Sequence, residues 1–151
     1  MKKLIIFLFI LSLVLGGFCF SGKAEQIFDV EGVDRVCFVS SERYDGEFES
    51  VQCGEKFFNF CTFEEAKSKV ALVKSSDAVQ FYAQQCELAA MLKRIKFQEL
   101  SSEEVEGIEV CYGYSPCYPC SIMFDGKKVN VQIAKAGGRV IVGFPMIMTG
   151  F

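Results

Sequence analysis

The stretch from Phe124 to Phe144, FDGKKVNVQIAKAGGRVIVGF, decides the fold of this chain. Apolar and polar residues alternate from Val129 to Ile133, which is the pattern of a β-strand with one apolar face. Asp125-Gly126 and Gly137-Gly138 supply turns between neighbouring antiparallel strands, and Asp-Gly accepts the positive φ angles of a type I′ turn. The stretch therefore predicts a C-terminal three-stranded meander with strands at residues 121–124, 127–135 and 139–144.

Another strand precedes the meander. Apolar residues recur at every second position from Ile108 to Tyr114, whereas Pro116 and Pro119 cannot donate to a ladder, so residues 115–120 are expected to form a loop. Further towards the N-terminus, short apolar runs bounded by charge predict strands. We place these strands at residues 35–40 and 56–61, with an edge strand at 47–52.

Two helices are expected between these strands. Thr62 and Glu65 have the spacing of a capping box, and apolar residues at helical spacing follow them, so a helix is predicted at residues 63–73. Residues 78–97 are ambiguous between one long helix and two elements. We favour a strand at 79–82 followed by a helix at about 85–95, then a short strand at 97–100 and an acidic loop at 101–107.

The order of elements predicts an α+β domain. Strands, helix, strand, helix and strands follow one another, and the C-terminal strands are joined by short turns. Helices that alternate with short-turn antiparallel strands pack on one face of the sheet. The expected architecture is a mostly antiparallel sheet with two helices on one face and the C-terminal three-stranded meander.

The N-terminus has the order of a secretory signal peptide. Lys2 and Lys3 precede an apolar run, and small residues follow near Ala24, as a signal peptidase requires. We therefore divide the chain into a signal peptide at 1–24, a lead-in at 25–34 and a single domain at 35–151. The alternative is an uncleaved anchor, because the apolar segment approaches the ~17-residue lower limit of a membrane span.

Composition and charge exclude several classes of function. The chain is 51% apolar, which predicts a folded domain, and its net charge is −3. Removing Lys2, Lys3 and Lys23 with the signal peptide changes the net charge from −3 by three units to −6. This negative charge argues against nucleic acid as a partner, because Lys and Arg supply most of a protein's affinity for phosphates. The absence of His rules out Ser-His and Cys-His nucleophile pairs. No cofactor is expected.

The cysteines offer the sharpest chemical hypotheses. Seven of the eight would remain after cleavage, an odd number that leaves one thiol without an intramolecular partner. Cys117-Tyr-Pro-Cys120 matches the motif of thiol-disulfide oxidoreductases, with Cys117 as attacking thiolate and Cys120 as resolving thiol. A structural zinc site is the second alternative, with Cys111, Cys117 and Cys120 as three ligands and a fourth from Cys37, Cys53, Cys61 or Cys86.

The motif lacks the usual source of activation, because its second cysteine leads into a predicted hairpin and not into a helix N-terminus, where the dipole would stabilise a thiolate. Disulfides or buried, unreactive thiols are therefore the favoured interpretation. Cys37 and Cys61 in particular are expected to be buried packing residues or cross-strand partners.

Other residues are weaker candidates for a functional site. Glu103, Glu104 and Glu106 resemble a carboxylate cluster but are expected to be a solvated acidic loop. Tyr112, Tyr114 and Tyr118 could form a ligand-stacking surface, but core packing is favoured for Tyr112 and Tyr114. The C-terminal apolar residues either complete the core or form an exposed patch for a partner; they are Phe144, Met146, Ile147, Met148 and Phe151.

The C-terminal third resembles the YwmB-like family. The similarity rests on Tyr112-Gly113-Tyr114-Ser115-Pro116, on the run from Gly126 to Ala134, and on Val140, Val142-Gly143, Pro145 and Ile147. The resemblance implies an exported protein of Gram-positive bacteria with a TATA-box-binding-protein-like fold and a function that is not established. It transfers no functional residue, and Cys117 and Cys120 depart from the family pattern.

These observations predict a non-enzymatic binding module that is secreted or held in the bacterial cell envelope. Its partner would be an extracellular or envelope protein or ligand. Contact with the membrane is expected only through the signal segment, if that segment stays uncleaved.

Overall fold

A computed structural model of the chain describes residues 24–148. The predicted signal peptide, apart from Ala24, and Phe151 lie outside this range. The structure is α+β, as predicted, and is built on one eight-stranded antiparallel sheet with the order β2-β3-β1-β4-β10-β9-β6-β5 and a separate hairpin, β7-β8. The strands are β1 Val33–Ser40, β2 Glu49–Cys53, β3 Lys56–Thr62, β4 Ala78–Gln84, β5 Gln98–Val105, β6 Ile108–Tyr114, β7 Ile122–Phe124, β8 Lys127–Val129, β9 Val131–Ala136 and β10 Arg139–Phe144.

The helices of the described range are short. They are α1 Phe63–Lys67, α2 Leu72–Ser75 and α3 Leu88–Arg94, with a 3-10 turn at Gln85–Glu87 before α3. Residues 24–26 are also helical. The capping box is present: the Thr62 hydroxyl accepts the Glu65 N–H at 3.3 Å, and the Glu65 carboxylate accepts the Thr62 N–H at 2.8 Å.

All of the buried residues of these helices belong to one core on one face of the sheet, which we call the helical face. Phe81 lies at its centre, fully buried, with ring centroids of Phe28, Phe63 and Phe144 at 5.3, 5.8 and 5.3 Å. Aromatic rings at such distances add to the stability gained by burying their area. The helical face therefore carries the main core of the domain.

The segment predicted as a lead-in contributes to this core. Ile27, Phe28 and Val30 are buried, with Ile27 fully so, although residues 25–34 show no periodic pattern. Their burial depends on a surface that the rest of the chain builds, so local sequence could not reveal it.

The other face of the sheet, which we call the second face, carries none of these helices. Two rules assign residues to this face. Successive side chains of one strand point to opposite sides of the sheet, and directly paired residues of adjacent strands point to the same side. Phe60, Cys37, Gln80, Gly143, Gln132 and Tyr112 form one transverse row across β3, β1, β4, β10, β9 and β6. A small group of buried residues around Cys37, Val39 and Phe58 lies on this face, separate from the main core.

The structure confirms a strand at residues 78–84 followed by a helix, and it corrects the helix predicted at 63–73. That segment forms α1 and α2 with turns between them. Ser68 ends α1, because its hydroxyl donates to the Glu65 carbonyl at 2.7 Å and so competes with the continuing helix.

The acidic segment predicted as a loop at 101–107 is also different. It belongs to β5, which pairs with β6 from Gln98 to Val105 and turns at Glu106-Gly107, where both φ angles are positive (53° and 81°). An edge strand needs only backbone pairing on one side, and charged side chains suit its exposed position. The acidic composition therefore concealed a strand.

The predicted second strand of the meander, 127–135, is divided at Asn130. Residues Lys127–Val129 form β8, which pairs with β7 outside the main sheet, and β9 begins at Val131. The Asn130 N–H donates to the Gly113 carbonyl at 3.0 Å. Asp125 and Gly126 have positive φ angles of 47° and 73°, as the predicted type I′ turn requires.

Candidate functional site

The loop from Ser115 to Ser121, which we call the cysteine loop, is held by the buried side chain of Asn130. The Asn130 amide donates to the carbonyls of Ser115 and Tyr118 at 2.7 and 2.9 Å, and its Oδ1 accepts the Ser115 N–H at 2.7 Å. The fully buried Ser115 hydroxyl donates to the Ile95 carbonyl and accepts the Cys117 N–H. These bonds fix the loop to the C-terminal end of α3 and to the residue between β8 and β9, so their role is structural.

Within this loop the two cysteines of the C-x-x-C motif differ in exposure. Cys117, the expected attacking thiolate, is only 2% exposed, whereas Cys120 is exposed. The loop leads into β7 and not into a helix, so no helix dipole stabilises a thiolate there. The geometry gives the thiol-disulfide oxidoreductase alternative no support.

Tyr118 lies between these cysteines and packs into the core. Its ring centroid is 5.5 Å from that of Phe144, and burial raises the pKa of its hydroxyl. Tyr118 is therefore a core residue and not part of a ligand-stacking surface.

The zinc alternative finds no assembled ligand set. Within residues 24–148 no group of three or more Cys, Asp or Glu side chains is placed to hold a metal ion. Cys111 is buried on β6, and burial raises the pKa of its thiol. Its Sγ donates a hydrogen bond to the Glu109 carboxylate at 3.7 Å. Cys111, Cys117 and Cys120 thus do not form a metal centre by themselves.

All seven cysteines of the described range are free thiols. Cys37 and Cys61 are buried, as predicted, but they are not cross-strand partners, because Cys37 pairs with Phe60 and Cys61 with Val36. A shift of one residue places their side chains on opposite faces of the sheet. Burial raises the pKa of Cys37 to about 12 and that of Cys61 to about 11, so neither is a reactive group at neutral pH.

The tyrosines of β6 are placed differently from the prediction of core packing. Tyr112 and Tyr114 point to the second face and are half-buried, while Cys111 points into the main core. Tyr112 stacks on Phe124 of the β7–β8 hairpin, with ring centroids 4.4 Å apart and an angle of 14°. Alternation identified the shared face of these tyrosines, but it could not show which side of the sheet the helices would cover.

Of the three glutamates weighed as a carboxylate cluster, one makes a contact on this face. The Tyr112 hydroxyl donates to Glu103 at 2.7 Å, and this hydrogen bond is the main reason why the pKa of Tyr112 is raised. Glu104 and Glu106 are exposed on the edge strand and its turn. The three carboxylates therefore do not act as one site.

Most exposed large hydrophobic side chains of the described range lie on the second face or on segments that contact it. Val51 and Val105 point to this face by strand alternation, and Phe124 is stacked against it. The set is Val51, Val105, Met123, Phe124, Met146 and Met148, which are 39–65% exposed. Val51 and Val105 lie on the opposite edge strands β2 and β5. Phe124, Met146 and Met148 instead lie over the neighbouring strands β4, β10, β9 and β6, and exposed apolar side chains close to one another indicate an interaction site.

At the other end of the second face a cation lies over an aromatic ring. The Arg35 guanidinium is 4.1 Å from the centroid of Phe60 and 2.5 Å from Glu49, and Phe60 packs against Tyr82 at 6.1 Å. Arginine held over an aromatic ring is a frequent element of protein interfaces. The second face therefore combines aromatic, thioether and guanidinium groups.

Two sequence signals could have pointed to this surface. Gly143 lies in the middle of a strand, which often marks close approach of another backbone. The clustering of Met146 and Met148 after the last strand was recognised as a possible patch, although its position was not.

Comparison with known proteins adds no relative to this description. No protein family model matches the chain, and neither a curated protein nor a solved structure matches it. None of the helices at residues 24–148 is long and apolar enough to cross a membrane.

Proposed function

We propose that this protein is an exported, non-enzymatic binding domain of the YwmB-like type that docks a protein of the cell envelope or the extracellular space through its second face. The observation that carries the proposal is the exposure of Phe124, Met146 and Met148 over neighbouring strands of this face, while the helices cover the other face. The resemblance of the C-terminal third to the YwmB-like family supports export and the bacterial envelope as the place of action.

A protein partner fits this surface better than a nucleic acid does. Of its cations, Arg35 is paired with Glu49 and covers Phe60, so that guanidinium is not presented to phosphates. Met, Phe and Tyr are enriched in the buried centres of protein interfaces, and Arg contributes at such centres as well. The net negative charge of the chain favours the same conclusion.

The chemistry of the cysteine loop does not compete with this proposal. The burial of Cys117 and the hydrogen bonds from Asn130 to the loop account for it as a packing element. A binding domain also needs no convergent set of catalytic groups.

Site-specific photo-crosslinking in producing cells tests the proposal. A benzophenone amino acid at Phe124 should yield one discrete adduct with a second protein, which mass spectrometry identifies. The matched control carries the same group at exposed Lys93 of α3, on the helical side, and should yield none. Equal adducts from both positions, or no adduct from Phe124, would contradict docking through the second face.

A further inference from the structure

The last described residues, Pro145–Met148, form a segment that we call the C-terminal strap. After β10 the chain turns and crosses the second face. The Ile147 N–H donates to Gln132 Oε1 at 2.8 Å, and the Met148 N–H donates to Gln80 Oε1 at 2.6 Å. Two successive backbone amides are thus held by two glutamine side chains of the sheet.

These glutamines flank a glycine in the same transverse row, which we call the Gln80–Gly143–Gln132 row. Gln80 pairs with Gly143, and Gly143 pairs with Gln132. A Cβ at Gly143 would lie 2.5 Å from the carbonyl carbon of Met146 and 2.7 Å from the Ile147 nitrogen. Since the φ angle of Gly143 is not in the left-handed region, only the close approach of the strap backbone requires glycine here.

The contacts show that the row binds main chain. Gln80 is fully buried beneath the strap, while the side chains of Met146 and Met148 remain about two-fifths exposed. Both glutamines serve as neutral acceptors for N–H groups, and an uncharged backbone costs the least to bury at such a site. The row is therefore suited to an extended peptide segment with apolar side chains.

The row is continuous with the apolar surface described above. Gln132 pairs across β9 and β6 with Tyr112, which stacks on Phe124. A segment lying in the row would therefore have this stacked aromatic pair beside it.

We infer that the Gln80–Gly143–Gln132 row reads the main chain of an extended, apolar segment of the protein partner, and that the C-terminal strap occupies the row as an intramolecular competitor. The inference rests on the proposed function and names both the kind of segment bound and its regulation. A site that is closed most of the time binds with an affinity lowered by the fraction that is open. Displacing the strap is then a step of partner binding.

Peptide binding to two forms of the protein tests this inference. The probe is a fluorescein-labelled, end-blocked peptide with the sequence of residues 144–148, Phe-Pro-Met-Ile-Met, measured by fluorescence anisotropy. A variant that ends at Phe144 should bind it about tenfold or more tightly than the full-length protein, because its row is open. The control peptide is N-methylated at the Ile and the second Met; it lacks the two donors and should bind at least about tenfold more weakly than the unmodified probe.

Substitutions in the truncated variant locate the binding to the row. Gly143→Ala should abolish binding of the probe, and Gln132→Leu should weaken it by about three- to tenfold, the loss of one hydrogen bond. Lys93→Ala on the helical side should have no effect. Equal affinity of the full-length and truncated proteins, or binding that survives Gly143→Ala, would overturn the inference.

If the truncated variant does not fold, hydrogen exchange of the full-length protein tests the inference instead. In the full-length protein, Gly143→Ala should release the strap, so the amides of Ile147 and Met148 should exchange with solvent at least about tenfold faster while those of β4 stay protected. Unchanged exchange at both amides would overturn the inference.

The outcomes separate the inference from the proposed function. A crosslink from Phe124 that is unaffected by removing the strap leaves the proposed function standing and defeats the inference. If the probe binds the row but no protein is crosslinked in cells, the peptide-binding row is supported and the proposed function is contradicted.

Discussion

The two faces of the eight-stranded sheet use their aromatic residues in different ways. On the helical face, Phe28, Phe63, Phe81 and Phe144 contact one another and are buried. On the second face, Tyr112 and Phe124 stack but remain partly exposed, as do Phe60 and Tyr82. The first arrangement stabilises the domain, and the second leaves apolar area available for a partner. Stability and recognition are therefore assigned to opposite sides of one sheet.

The largest expected effect comes from truncating one ring on each face. Phe81→Ala should lower the free energy of unfolding by about 3–5 kcal/mol, because it leaves a cavity among three aromatic side chains, Phe28, Phe63 and Phe144. Phe124→Ala should lower it by about 1 kcal/mol or less, since that ring is 40% exposed. Urea denaturation followed by circular dichroism measures both values. Comparable losses would mean that the second face is part of the core.

A buried polar residue provides the next test. Asn130→Ala should lower the free energy of unfolding by about 2–3 kcal/mol, because the Ser115 N–H and two loop carbonyls lose their partner inside the domain. Gln52→Ala on the exposed edge strand is the control and should change it by about 0.5 kcal/mol or less. If the two variants have the same denaturation midpoint, the cysteine loop is not anchored as described.

Thiol labelling compares buried and exposed cysteines. Cys53, Cys86 and Cys120 should react with iodoacetamide in the native protein, whereas Cys37, Cys61, Cys111 and Cys117 should stay protected until it unfolds. Peptide mass spectrometry after a timed reaction reports each position. Rapid alkylation of Cys117 at neutral pH would revive the redox alternative.

The buried thiols also predict a dependence of stability on pH. Burial raises the pKa of Cys37 from 9.0 to about 12. The thiol therefore ionises first in the unfolded chain, so its contribution to stability is complete below pH 9 and is lost as the pH rises towards 12. The denaturation midpoint should fall as the pH is raised from 8 to 11. It should fall less steeply in the Cys37→Ala variant than in the unsubstituted protein.

The smallest expected effect concerns the capping box of α1. Hydrogen bonds from the Thr62 backbone and hydroxyl lower the pKa of Glu65 from 4.5. This contribution is present above pH 4.5 and is lost as the pH falls through the folded-state value. The amides of α1 should become slightly less protected from exchange on acidification. In Glu65→Gln this pH-dependent loss of protection should be absent. An identical pH response in both proteins would argue against the carboxylate as the cause.

The elements with strong local signals were predicted well. The alternation in β6 and β9, the Asp125-Gly126 turn and the Thr62 capping box each act over a few residues, so the sequence reports them directly. The acidic edge strand β5 and the apolar lead-in around Ile27 were missed. Their structure depends on a paired strand or a core surface elsewhere in the chain, and neither leaves a periodic pattern of its own.

In the candidate site, too, local motifs could be predicted from the sequence, whereas features that depend on tertiary contacts could not. Cys117 and Cys120 drew attention as a motif, but the burial of Cys117 and the Asn130 contacts, which depend on tertiary packing, assign the loop to the structure. The row around Gly143 was invisible because its residues come from three strands. The residues that pair with Gly143 are 63 and 11 positions away in sequence, Gln80 on one side and Gln132 on the other.

The sequence by itself determined the α+β class, most strand positions, their turns and the cysteines that could carry chemistry. These features follow from alternation, capping and glycine, which operate between near neighbours. Only the tertiary structure decided which side of the sheet the helices cover, which thiols are buried and where the C-terminal strap lies. Strand alternation separates the side chains of the two sides of the sheet, but it does not show which side is buried. The side that is buried depends on how distant segments of the chain pack against the sheet.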